Sequence, residues 1–189
     1  MWNENLTLAL FLLKVGLGGK KWGVVGLLGD NSYAPSLPMS SEQNSQPIFS
    51  GEICHALDGK NRVTIPSRWR KGEADEFFLM PDRTGAFVRA MPPEQFSAAA
   101  ERAAANPAVT AKDHAVFLRH FYSRSQHVVV DKQGRLLVPE EYCQKANLKG
   151  EIVLVGARDT FELWSKESWE ATKQNEQATF DRIAELAGL

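Results

Sequence analysis

Cysteine is scarce in this sequence, with two in 189 residues. Cys54 and Cys143 form no Cys-x-x-Cys and share no ligand spacing with histidine, so no zinc site or disulfide framework is indicated and a reducing cytosol is expected. The four histidines, His55, His114, His120 and His127, lack any His-Glu-x-x-His or Glu-x-x-His spacing, and structural or surface roles are expected for them. Phosphate-cradling glycine loops are missing too: there is no Walker motif and no Gly-x-Gly-x-x-Gly opening a helix. These absences leave no metal, cofactor, small-molecule substrate or enzymatic centre to defend. A basic excess is also lacking, since 22 Lys and Arg face 23 Asp and Glu for a net charge of −1, which counts against a generic nucleic-acid binder. Long apolar runs are absent where a membrane segment would need them. The stretch Leu6–Leu13 looks like a signal-peptide core but is far short of the roughly 20 residues that span a bilayer, and with Glu4 before it, Lys14 after it and no small-residue cleavage pattern next, it is not expected to act as a signal peptide.

What the sequence does have is a phrase said twice. Asp58-Gly-Lys-Asn-Arg-Val-Thr-Ile-Pro66 and Asp131-Lys-Gln-Gly-Arg-Leu-Leu-Val-Pro139 both read Asp-x-x-x-Arg, an apolar-x-apolar triplet and Pro, at an offset of 73 residues. The offset persists downstream, where Met91, Glu94 and Phe96 fall on Trp164, Glu167 and Trp169. The repeat unit is therefore a whole assembly of elements. A hydrophobic content of 43% suffices for one core shared by the two copies.

Residues 1–47 do not belong with this pattern. Lys14–Asp30 is rich in glycine without period, and residues 32–47 are rich in Ser, Pro, Asn and Gln, so the stretch is expected to be a disordered or loosely packed extension. Two readings stay open: a genuine extension, or translation starting at Met39.

In each repeat, apolar alternation leads into a turn and resumes after it, predicting a β-hairpin at Asp58–Asn61 and another at Asp131–Gly134. Asp opens such turns by accepting backbone N–H groups, and Asn61 or Gly134 supplies positive φ. Pro66 and Pro139 are expected in the first turn of short helices over 67–71 and 140–146. Two strands follow in each copy, 77–80 with 86–91 and 151–156 with 160–164, and a helix closes each, from Pro93 and over 166–187. Thr110 and Asp113 predict a capped helix whose Phe117 and Phe121 face the core. The expected fold is α+β, mainly β: two repeats of hairpin, short helix, two strands and helix, related by a pseudo-twofold axis and forming one small barrel flanked by helices. The segments are 48–105 for the first repeat, 106–123 for a connecting helix, 124–170 for the second repeat and 171–189 for a C-terminal helix.

Charge is segregated along the chain. Residues 52–72 hold Lys60, Arg62, Arg68, Arg70 and Lys71 against Glu52 and Asp58. Lys60 and Arg62 lie in or just after the first turn, Lys132 and Arg135 in or just after the second. Turns project side chains outward, so these four are candidate DNA contacts, arginine reading guanine edges and lysine reaching phosphate. The other reading is that Arg62 and Arg135 pair with Asp58 and Asp131 and shape the turns. Both can hold.

At these residues the sequence resembles the MraZ family, which is related to AbrB-type swapped-hairpin barrels. The resemblance covers residues 48 to about 170: both Asp-x-x-x-Arg turns, Phe117-Leu-Arg-His-Phe-Tyr122, Ile152-Val-Leu-Val-Gly156, and the Trp-x-x-Glu-x-Trp pattern of Trp164–Trp169. It implies a regulator that binds double-stranded DNA at its own promoter, upstream of the division and cell-wall gene cluster. It also implies a ring homo-oligomer presenting many turn tips to short G-rich direct repeats, and a cytoplasmic, nucleoid-associated location. The family's binding motif maps to Asp58, Lys60, Arg62, Asp131 and Arg135. Asn61 stands where Gly is usual, tolerable because Asn accepts the left-handed region. Gln133 replaces the lysine of the first copy, which makes the first turn the expected stronger contact. The alternative is a scaffold module whose basic tips bind an acidic protein partner.

Overall fold

The computed structural model of the chain describes residues 48–72 and 74–189, and the readings made for residues 1–47, the loosely packed extension and the Met39 start, lie outside them. The fold is α+β. Its elements are β1 (Glu52–Ala56), β2 (Arg62–Thr64), a 3-10 turn (Ser67–Trp69), β3 (Glu76–Pro81), β4 (Phe87–Met91), α1 (Pro93–Ala104), α2 (Ala111–Ser123), β5 (Gln126–Val129), β6 (Arg135–Leu137), α3 (Glu140–Lys145), β7 (Glu151–Ala157), β8 (Thr160–Ser165) and α4 (Lys166–Ala187).

All ladders are antiparallel. Six strands form one sheet in the order β1-β7-β8-β4-β3-β5, and β2 pairs with β6 in a separate two-stranded ribbon. This corrects the hairpin expectation. The turns exist where expected, but their arms do not ladder with each other: β1 runs beside β7, β5 beside β3, and the two outgoing arms pair across the molecule, Val63 opposite Leu136. A three-residue arm folded back on its own partner would be a marginal hairpin with one face wet. Paired across the molecule, Val63, Ile65, Leu136 and Val138 are each 0% exposed, and burial of each is worth about 1.5–3 kcal/mol.

Smaller corrections have local causes. Pro66 and Pro139 sit one residue before their helical turns, with φ of −53° and −55°, and the first short helix contracts to the 3-10 turn. Phe49 makes an isolated bridge to Arg158 and is separated from β1 by Gly51, whose φ is +90°. Thr110 caps α2 as expected, its hydroxyl accepting the Asp113 N–H at 3.2 Å.

The main core gathers the ribbon's inner face with Phe49, Trp69, Phe77 and Phe161. Phe49 lies 5.3 Å from Phe161 and 5.7 Å from Trp69, ring centre to ring centre. A second cluster packs α1 and α2 on the sheet through Met91, Phe96 and Phe121, with Phe96 stacked on Phe78 at 4.1 Å and on Phe121 at 4.6 Å. Phe117 and Phe121 face this core side by side at 5.2 Å. On α4 the apolar stripe divides. Trp169 packs on Trp164 at 5.5 Å, whereas Phe180 and Ile183 are 65% and 53% exposed.

Phe49 reaches the core because Gly156 lets the backbone close over β7. A Cβ on Gly156 would fall 2.5 Å from both Phe49 C and Ser50 N, main-chain atoms that cannot move aside cheaply. Gly156→Ala should therefore cost about 1–3 kcal/mol. The expected outcome is a lower thermal unfolding midpoint, checked by calorimetry.

Candidate nucleic-acid interface

Side chains alternate across a strand, so the ribbon has two unlike faces. Val63 and Leu136 point inward. Arg62, Thr64, Arg135 and Leu137 share the outer face, with Arg62 opposite Leu137 and Thr64 opposite Arg135. The two turns sit at opposite ends of this ribbon. Asn61 and Ile65 are four residues apart on one strand, and Ile65 faces Gly134, so the positive-φ residues of the turns stand roughly 13 Å apart along it. Both arginines are thus presented on one surface.

Each turn is built on its aspartate. Asp58 Oδ1 accepts the backbone N–H groups of Lys60 at 2.8 Å and Arg62 at 2.9 Å, while Oδ2 accepts Arg62 Nε at 2.8 Å and pairs with Nη2 at 2.7 Å. Asp131 repeats the set: Oδ1 takes the N–H groups of Gln133 and Arg135 at 2.9 Å, and Oδ2 takes Arg135 Nε at 2.9 Å and Nη2 at 2.7 Å. Asn61 at φ +56° and Gly134 at φ +76° complete the reversals. Asn61 N–H donates to the Asp58 carbonyl at 2.9 Å, and Gly134 N–H to that of Asp131 at 2.8 Å.

Pairing and presentation are therefore compatible. The aspartate engages one edge of each guanidinium, and the arginine side chains remain 29% and 26% exposed for Arg62 and Arg135. Lys60 and Lys132 are exposed, and no carboxylate among the described residues pairs with either. One contact was not legible in the repeat. The Asn61 side-chain amide donates to the carboxylate of Glu140, at the start of α3, which also accepts Gln144 Nε2 at 3.1 Å. Glu140 lies 79 residues from Asn61, and its equivalent at the repeat offset is Ser67, so duplication gives no signal for it.

A family profile described as "MraZ protein, putative antitoxin-like" matches residues 121–187. The Transcriptional regulator MraZ of Clostridium tetani is 34% identical over 138 residues, 73% of this chain and 95% of that protein. The chain belongs to the MraZ family. The Transcriptional regulator MraZ of Desulforamulus reducens is 33% identical over 138 residues, covering 73% of this chain and 96% of its own length. That of Clostridium acetobutylicum is 37% identical over 122 residues, 65% of this chain and 84% of that protein. In this MraZ-family chain, no group of three or more His, Cys, Asp or Glu converges to hold a metal ion among the described residues. No helix among them is long and apolar enough to cross a membrane.

The Arg62 side chain and its own N–H hold the Asp58 carboxyl far below the usual carboxylate range, and Arg135 lowers Asp131 in the same way. Glu140 is lowered chiefly by Asn61. A carboxyl depressed in the folded state contributes stability that is fully present above its unfolded value, about 3.9 for Asp, and is lost only as pH falls through the depressed value. The turns should thus keep their form through mild acid and loosen only in strong acid. NMR titration of the Asp58 and Asp131 carboxyls should give midpoints below 3.9, and midpoints at the ordinary value would contradict the pairing.

Proposed function

We propose that this chain is a sequence-specific DNA-binding transcriptional regulator, and that Arg62 and Arg135 read base edges while Lys60 and Lys132 reach phosphates. The observation that carries it is the ribbon's outer face, where two arginines are held side-on by aspartates on one exposed surface. A two-stranded ribbon is one of the two elements that a major groove admits. The family's regulator names support the same reading, and an enzyme is not in question. Asp58, Asn61, Asp131 and Gly134 shape the turns.

The architecture proposed for it is an AbrB-like swapped-hairpin barrel with a pseudo-twofold axis and the segments 48–105, 106–123, 124–170 and 171–189. Its support is the strand order: exchanging β1–β4 with β5–β8 turns β1-β7-β8-β4-β3-β5 into its own reverse, and leaves the β2–β6 pair unchanged. The further reading is a ring homo-oligomer in the cytoplasm, associated with the nucleoid. It acts on its own promoter and the division and cell-wall cluster through short G-rich direct repeats. A protomer of net charge −1 binds phosphate weakly alone, and several on one scaffold add through effective concentration. The distal half of α4, with Phe180, Ile183 and Leu186 exposed on a helix, supplies apolar surface suited to contact between copies.

Arg62→Ala and Arg135→Ala should each cost about 1–3 kcal/mol of specific binding while leaving the oligomer intact. Mobility shift on the chain's own upstream DNA measures this, with non-specific DNA as competitor. Unchanged affinity in both variants, or no preference over competitor, would overturn the proposal in favour of an acidic protein partner. A double change, Phe180→Glu with Ile183→Glu, should lower the mass seen by light scattering with little change in monomer unfolding, since both side chains are exposed.

A further inference from the structure

The two turns differ in what lies against their positive-φ residue. At the first turn, Asn61 donates its amide to the Glu140 carboxylate. At the second, Gly134 is covered by Arg70, which follows the 3-10 turn of the other repeat. A Cβ on Gly134 would stand 2.8 Å from Arg70 Cζ, 2.9 Å from Nη1 and 3.1 Å from Nη2. Such near-equal distances mean that the guanidinium lies flat on the glycine. Arg70 Nε is buried there with no hydrogen-bond partner, and no carboxylate among the described residues pairs with the group. The side chain as a whole is half-buried, so its charge is seated at the surface.

This contact makes the turns electrostatically unequal. Around the first, Lys60, Arg62 and Lys149 face Asp58 and Glu140, a surplus of one positive charge. Around the second, Lys132, Arg135 and Arg70 face Asp131 alone, a surplus of two positive charges. A half-buried guanidinium with no carboxylate beside it and a buried Nε without a partner is left open to an anion, and phosphate is the anion to which arginine's planar fork is matched.

We propose that Arg70 is a backbone-phosphate contact of the second turn, contributed by the first repeat and seated by Gly134, and that the second turn binds DNA more strongly than the first. The inference rests on the DNA-binding reading above. It reverses the ranking that Lys60 against Gln133 suggests, because the missing lysine of the second copy is replaced in space by an arginine from elsewhere in the chain.

The test uses the full-length protein and fluorescence anisotropy on a duplex of its own upstream DNA, from 50 to 200 mM salt. Arg70→Gln should lower the slope of log affinity against log salt by about 0.9 per engaged protomer, which is about threefold in affinity across that range per protomer. Arg70→Lys should keep the slope. Glu140→Gln should tighten binding by removing the carboxylate beside the first turn, and Lys132→Gln should weaken it more than Lys60→Gln. An unchanged slope in Arg70→Gln, with thermal unfolding intact, overturns the proposal, and so does weaker binding in Glu140→Gln. Arg62→Ala is the control: if it also leaves binding untouched, the DNA-binding reading itself has failed, whereas loss there with no effect at Arg70 sinks only this inference.

Discussion

Two main-chain hydrogen bonds hold the rest in place: Ile65 N–H donates to the Gly134 carbonyl and Val138 N–H to the Asn61 carbonyl, each at 2.8 Å. Every acceptor here belongs to the positive-φ residue of the opposite turn. Each bond contributes only about 0.5–1.5 kcal/mol net, but their placement fixes register. A slip by one residue would turn Val63 and Leu136 to water and carry both arginines inward. The reversal of each turn, the burial of the ribbon's inner face and the exposure of its outer face therefore form one constraint.

The aspartates extend that constraint to the side chains. A free arginine on a surface loses on the order of 0.5–1.5 kcal/mol of side-chain freedom when a partner immobilises it. With Asp58 and Asp131 each taking two backbone N–H groups and one guanidinium edge, most of that ordering is complete before any partner arrives. One carboxylate shapes the loop and aims the cation. This explains why Asp and Arg recur at the same spacing in both copies while the residues between them vary: the N–H groups taken by each carboxylate, one from Lys60 or Gln133 and one from the arginine itself, are main-chain donors and do not depend on the identity of the intervening side chains.

Much of this was legible in the sequence because it depends on local chemistry. The turn aspartates, the positive-φ Asn61 and Gly134, the Thr110 cap and the span of α4 each follow from residues close together in the chain. Which strand pairs with which was not legible. Period-two alternation marks Val63 and Leu136 as half-buried strand residues but says nothing about whose backbone they meet, and a tight turn made local pairing the natural reading. Glu140 and Arg70 were missed for a different reason. They reach the turns across the fold, and at the repeat offset their counterparts are Ser67 and Cys143, so the duplication that revealed the turns conceals their supports. Burial pushes the Cys143 thiol up to about 11, in keeping with its place on the buried face of α3, where Arg70's counterpart is an uncharged core side chain.

The β2–β6 pairing also sets a schedule. Val63 meets Leu136 across 73 residues of chain, and contacts of that separation form late because the loop must close first. On the ribosome, the surface bearing Arg62 cannot exist until Val138 has emerged. A chain still being made therefore carries its first turn without the strand that orients it, and acquires its cationic face in a single step near the end of synthesis.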